Sequence, residues 1–167
     1  HDYQQTLFVC SLATDRANDG TAYERFTGHG PVALLPMARD YGAICAVARA
    51  DADRVLALDD AAYAGYFQAR FGWRAGRVLR VGTRSAYPLA RVVAERLTAT
   101  RALLMGNAAQ TIHPIGAQGF NLGLRDALTL AELLDGGDPG TDTLLAGYAD
   151  ARREDRERTL AFSDGLA

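Results

Sequence analysis

The sequence predicts an α+β chain in two parts, an antiparallel-rich sheet with one helix over residues 1–98 and a strand followed by helices over residues 99–167. Three observations carry this. The first fifty or so residues are a succession of apolar, strand-like runs separated by turn-forming residues, the order expected of antiparallel neighbours. The aromatic residues that follow Asp59 recur at helical spacing. Beyond Thr98–Arg101 the pattern changes to a short apolar run, a glycine-rich loop and long helical stretches.

In order along the chain, Thr6–Ala13 reads as a strand, followed by the turn Asn18-Asp19-Gly20. Tyr23–Thr27 alternates, and Gly28-His29-Gly30-Pro31 turns the chain into Pro31–Met37. Arg39-Asp40 separates that run from Tyr41–Arg49. Asp59-Asp60 caps a helix carrying Tyr63, Tyr66, Phe67 and Phe71, which ends near Gly72-Trp73. Phe71, Tyr66 and Trp73 are read as core residues of its face. Val78–Tyr87 reads as one strand, stopped by Pro88. Arg101–Met105 reads as a short buried strand. A helix from about Phe120 to Leu134 is apolar on nearly every side and is expected to be buried. Asp135-Gly136-Gly137-Asp138-Pro139-Gly140 stops it, and a last helix starts near Thr141. The run Arg152–Arg158 mixes both signs, with Arg153/Glu157 and Glu154/Arg158 one helical turn apart, and reads as a solvated face.

Composition narrows the chemistry. Apolar residues make up 49% and charged residues 23% of the 167, so the chain is neither disordered nor a disulfide scaffold. The net charge of -2 gives no field for non-specific nucleic-acid binding. All 18 basic residues are arginine, which excludes a Schiff-base or P-loop lysine. Cys10 and Cys45 lie in apolar runs and read as buried free thiols. Three scattered histidines and no paired cysteines make no metal-ligand set. Ser85, His113 and Asp126 could be drawn as a triad, but no nucleophile-elbow sequence accompanies them.

The segment Gly106–Asp126, GNAAQTIHPIGAQGFNLGLRD, stands apart. Gly106, Gly116 and Gly119 allow close approach of backbone to a ligand. Asn107, Gln110, Gln118 and Asn121 can donate hydrogen bonds without charge, Pro114 stiffens the loop, and the helix start favours a partly negative group. The alternatives are a ligand-binding loop and a structural glycine-rich connection.

This segment resembles the second FAD-binding motif of the flavin-dependent aromatic hydroxylases, those with the para-hydroxybenzoate hydroxylase fold. The forms GNAAQT-x-HPI and NLG-x-RD resemble the ubiquinone-biosynthesis branch of that family, in particular the 2-octaprenyl-6-methoxyphenol hydroxylases. ERFTGHGP (Glu24–Pro31), LPM (Leu35–Met37), FGWR (Phe71–Arg74) and RSAYPL (Arg84–Leu89) extend the likeness upstream, in order, over most of the chain. The resemblance implies that residues 1–98 are the substrate-domain sheet with its helix. Residues 99–167 would supply the last strand and C-terminal helices of the FAD-binding domain. It implies a monooxygenase acting on the ring of a polyprenylated phenol with FAD, O2 and NAD(P)H. It also implies a cytoplasmic protein working at the inner face of the plasma membrane, beside other ubiquinone-biosynthesis enzymes.

By the same resemblance, Gly106 and Asn107 would lie against the ribityl and pyrophosphate part of FAD. Gln110, Gly116 and Gln118 belong to the same cofactor loop. Pro114 would lie beside the isoalloxazine ring, and Gly119, Phe120, Asn121 and Leu122 would present backbone to its pyrimidine edge. Pro114 and His113 are the candidates for the catalytic position, His113 having a supporting role as its alternative. Arg84 and Tyr87 would face the substrate, or else only pack their strand. Asn107 and Gln110 stand where the wider family has Asp and His, as the ubiquinone branch would. Gly116-Ala117 reverses the family's Ala-Gly, so the methyl at 117 crowds the flavin or shifts the loop. The family's opening GxGxxG unit is absent from the chain. The resemblance therefore covers the C-terminal part only, and implies weak FAD binding by this chain alone, exposed apolar surface and self-association. The other readings are a monooxygenase of a soluble aromatic, and an inactive piece working through protein contacts.

Overall fold

The computed structural model describes residues 1–167. It falls into two compact units, one of Asp2–Leu89 and one of His1 with Ala90–Ala167.

The first unit is built on an antiparallel sheet of β1 (Asp2–Thr14), β2 (Tyr23–Thr27), β3 (Gly30–Pro36) and β4 (Tyr41–Ala48). A short helix α1 (Ala52–Leu56) leads to α2 (Asp60–Phe71), and β5 (Val78–Val81) and β6 (Ser85–Ala90) complete the sheet. The order is β2-β3-β4-β1-β5, with β6 also on β1. The β1–β4 register runs from Gln5 opposite Ala48 to Leu12 opposite Tyr41.

Period-two alternation sorts the side chains. Phe8, Cys10 and Leu12 of β1 join Val32, Leu34, Cys45 and Val47 in a core closed by Tyr63, Phe67 and Phe71 of α2. Each such large side chain contributes about 1.5–3 kcal/mol by leaving water. The alternate residue Leu7 packs with Ala46 and Leu89 on the opposite face, beside Tyr3, Val9 and Ile44. Asp59 caps α2 by accepting from the Ala62 N–H at 2.8 Å, as its sequence implies. Gln68 then ties the end of α2 to the following loop, accepting from the Val78 N–H and donating to Gly72 and Gly76.

Two expectations in this unit fail. The strand expected over Val78–Tyr87 is two strands, and β6 runs through Pro88. Pro88 is exposed, and β6 pairs with β1 alone, the kind of strand that tolerates proline. Trp73 is not core: it is 65% exposed, because α2 ends at Phe71 and Trp73 lies beyond its buried face.

The second unit holds β7 (Val92–Val93), β8 (Thr98–Ala99), β9 (Ala102–Leu103) and β10 (Gln110–Thr111), in two-stranded ladders β7–β10 and β8–β9. The helices are α3 (Gln118–Leu133) and α4 (Asp142–Leu166), the latter capped by Thr141 on the Leu144 N–H. Residues 90–98, expected with the first part, make their ladder here. The buried strand expected at Arg101–Met105 is only β9, half-exposed, because β8 is its single neighbour. The helix expected to be buried all round is not: α3 buries Leu122 and Asp126, and Phe120, Leu124 and Leu128 are exposed. No helix is long and apolar enough to cross a membrane.

Candidate cofactor site

The loop from Gly106 leads through two short helical turns into α3. Gly106 is left-handed at φ 56°, and a Cβ there would point into open space. Its other side is fully engaged. The Gly106 N–H donates to Asp126 Oδ2 at 2.9 Å, and its carbonyl accepts from the Ala109 N–H at 3.0 Å. Gly123 of α3 comes so close that a Cβ on it would lie 3.2 Å from Gly106 Cα. Asn107 is exposed.

Asp126 is 2% exposed, yet three donors reach it. Besides Gly106, Gln110 Nε2 donates to Oδ2 at 2.9 Å and Arg152 Nε to Oδ1 at 2.7 Å. Arg152, 4% exposed, also donates to Asp155, which Arg125 binds in turn. Burial works against the Asp155 carboxylate, but these two guanidinium groups outweigh it and hold its pKa below the ordinary value. Gln110 is equally enclosed, and its Oε1 accepts from Arg156 Nε at 2.9 Å. Arg156 also donates to the carbonyls of Ala94 and Ala109. The solvated face expected over Arg152–Arg158 does not hold for Arg152 and Arg156, which these buried partners draw inward. Of the two expected one-turn pairs, Glu154–Arg158 forms, while Arg153 pairs with Asp150.

His113 is buried. Its Nδ1 accepts from the Ile115 N–H at 3.2 Å, and its carbonyl accepts from Ser163 Oγ at 3.3 Å. Burial holds its pKa below the ordinary value, favouring the neutral ring. Pro114 follows, and the Ala117 N–H returns to its carbonyl at 2.9 Å. Gly116 and Ala117 are both left-handed, at φ 71° and 51°. A methyl-bearing residue thus stands at 117 in a conformation that suits glycine.

Ala117 precedes α3 and offers it no side-chain cap, and the first-turn N–H groups of Gly119 and Phe120 have no carbonyl of α3 four residues back. The Gln118 side chain turns back to the Gly116 carbonyl. Phe120 is 80% exposed, Asn121 is exposed and Leu122 is buried. Neutral amides, an open left-handed glycine and an uncapped helix start fit a large polar group with an electron-rich edge, as the expected FAD has. No three His, Cys, Asp or Glu side chains gather to hold a metal ion.

Arg84 and Tyr87 belong to the first unit, on different sides of its sheet. Arg84 donates to the carbonyl of Leu58 and lies 4.9 Å from the centre of the Tyr63 ring, on the α2 side. Tyr87 is exposed and, two residues from Leu89 in β6, shares that residue's face, away from α2.

Compared with known proteins, residues 6–163 match the family model described as FAD binding domain. The ubiquinone hydroxylase UbiL of Rhodospirillum rubrum is 38% identical over 98% of this chain and 40% of its own length. The ubiquinone hydroxylase UbiM of Neisseria meningitidis is 34% identical over 89% of this chain and 34% of its own. The chain thus spans well under half the length of these relatives. Among solved structures, PqsL of Pseudomonas aeruginosa, described as a probable FAD-dependent monooxygenase, shares the fold. Its TM-score is 0.70 at 19% identity, over 99% of this chain and 48% of that one.

Proposed function

The chain belongs to the family of FAD binding domains, and from that premise we propose that it is the C-terminal part of an FAD-dependent monooxygenase acting in ubiquinone biosynthesis. Its substrate in this reading is a polyprenylated phenol, hydroxylated on the ring with O2 and NAD(P)H. Residues 2–89 are its substrate-domain part, and residues 90–167 with His1 its contribution to the FAD domain. The observation that carries the reading is the loop from Gly106 to the start of α3, bonded on its protein side and open on the other.

Each residue then has a task. The open backbone of Gly106 and the amide of Asn107 bind and orient the ribityl and pyrophosphate part of the cofactor. Pro114, stiffened by its ring, forms a wall beside the isoalloxazine and keeps water out. The N–H groups of Gly119 and Phe120, in the first turn of α3, face the pyrimidine edge, where the helix dipole favours negative charge, while those of Asn121 and Leu122 are taken up within the helix. FAD, when bound, supplies the redox chemistry, drawing electrons from NAD(P)H so that one oxygen atom of O2 enters the ring and the other leaves as water. His113 stays neutral and holds the loop through the Ile115 N–H. Tyr87, on the apolar face with Leu89, is the residue offered to the substrate, whereas Arg84 secures the start of α2.

The prenyl tail brings the protein to the inner face of the plasma membrane, beside other enzymes of the pathway. Self-association of the chain taken alone belongs to the same proposal. The test is to purify the protein at its native length from its source cells, measure its mass and bound flavin, and assay it with a short-tailed prenylphenol, NAD(P)H and isotopically labelled O2. Flavin together with a labelled, hydroxylated product is expected. Flavin with no hydroxylation of any prenylphenol would refute the substrate; a protein without flavin would refute the monooxygenase.

A further inference from the structure

We propose that Gln110, with Asp126, Arg152 and Arg156 behind it, is a positioning residue that holds the Gly106 turn in its cofactor-binding shape without itself touching the cofactor. The inference rests on the FAD reading above.

The argument starts from what such a network costs. Burying an ion pair such as Asp126–Arg152 gains little stability over an apolar pair of the same volume. A device of that kind is explained better by the geometry it imposes. Here several of the bonds converge on one short stretch. Asp126 takes the Gly106 N–H, Gln110 spans Asp126 and Arg156, and Arg156 binds the carbonyls of Ala94 and Ala109. Gly106 and Ala109 are the two ends of the turn, joined to each other by the Ala109 N–H. Both are therefore fixed from the protein side while the outer side stays open.

Gln110 is the hinge of the arrangement because it must donate at one end and accept at the other. Its enclosed amide leaves neither end for a ligand. A carboxamide meets that demand and so does a neutral imidazole, whereas an apolar side chain meets neither half and leaves Asp126 and Arg156 each one partner short.

The test uses the native-length protein, stripped of flavin and titrated with FAD by fluorescence, with thermal unfolding of the apo-protein measured alongside. Gln110→Leu is expected to weaken FAD binding by about tenfold to a hundredfold. Gln110→His is expected to restore it to within about threefold. Asn107, the exposed neighbour, is expected to show no coupling with Gln110 in apo stability, but to add to the loss of FAD affinity when replaced by alanine. If Gln110→Leu binds FAD as the parent does, or if Gln110→His fails to rescue a folded protein, the positioning role is wrong. If Gln110→Leu does not fold, the Gln110→His affinity and the Gln110→Glu affinity decide alone: Glu keeps the acceptor for Arg156 but sets a carboxylate against Asp126, and an unaltered affinity there overturns the proposal. Should the parent protein itself bind no FAD, the underlying reading fails instead, an outcome distinct from all of these.

Discussion

The amide of Gly106 and the carboxylate of Asp126 meet at 2.9 Å across 20 positions of sequence, joining the start of the glycine-rich loop to the third turn of the helix that follows it. Asp126 is the only carboxylate that takes bonds from loop and helix together. Replacing it with alanine strands the Arg152 guanidinium in the interior, 4% exposed, with half its partners gone. Asp126→Ala is expected to lower stability by about 3–5 kcal/mol in urea unfolding. A loss under about 1 kcal/mol would mean that the pair is not buried as described.

Ala117 carries a strain that glycine would not. Its φ of 51° places an alanine in the left-handed region, at a cost of about 1–2 kcal/mol. Ala117→Gly is expected to raise the unfolding midpoint, offset in part by the entropy glycine adds to the unfolded chain. Gly116→Ala, at φ 71°, is expected to lower it. Opposite signs for these neighbouring changes are the signature to look for; a destabilising Ala117→Gly would contradict the strain.

His113 should make the protein acid-sensitive. Its folded pKa lies below the ordinary 6.5 through burial, so the unfolded chain binds the proton more readily. The contribution is complete above about pH 6.5 and is lost as the pH falls toward the lowered folded value. Denaturation midpoints followed from pH 8 to pH 5 should fall in that window. His113→Asn keeps an acceptor for the Ile115 N–H and should flatten the fall. A parent protein equally stable at pH 7.5 and pH 5.5 would count against it.

The two thiols should be inert until the first unit unfolds. Cys10 and Cys45 are buried, and burial pushes Cys45 up to about 11. Iodoacetamide at pH 8 is expected to leave both unmodified in the native protein and to label both in urea. Labelling of the native protein at a rate typical of a free thiol would mean that the core opens far more readily than its packing implies.

Phe120, Leu124 and Leu128 form an exposed apolar stripe along α3. Light scattering on the 167-residue chain is expected to find species larger than a monomer, and Leu124→Glu with Leu128→Glu to shift them toward the monomer. A monomer at every concentration tested would remove self-association from the proposal.

Local signals in the sequence located the elements that local chemistry governs. Asp59 and Thr141 mark helix starts by their own side chains, and the runs of β1 to β4 mark strands by alternation. The loop at Gly106 was legible because glycine, asparagine and proline each bear on backbone or ligand directly. What failed depended on neighbours distant in sequence. Arg152 and Arg156 looked like members of a surface charge run, yet the period of Tyr148, Arg152, Thr159 and Ser163 sets Arg152 on the buried face of α4. That periodicity was the available signal. The apolar sides of α3 gave no means of telling a buried helix from one whose stripe stays open.

The polar face of α4 fixes its own length. Arg152 and Arg156, a turn apart, and Ser163, two turns further on, reach Asp126, Gln110 and His113 from one helix. Inserting or deleting a single residue between Tyr148 and Ser163 would rotate everything beyond it by about 100° and carry away from their partners whichever of these side chains follow it. Sequence length should therefore be tightly held within that stretch and free to vary in the Asp135–Gly140 turn, which ends one helix without carrying any of these partners.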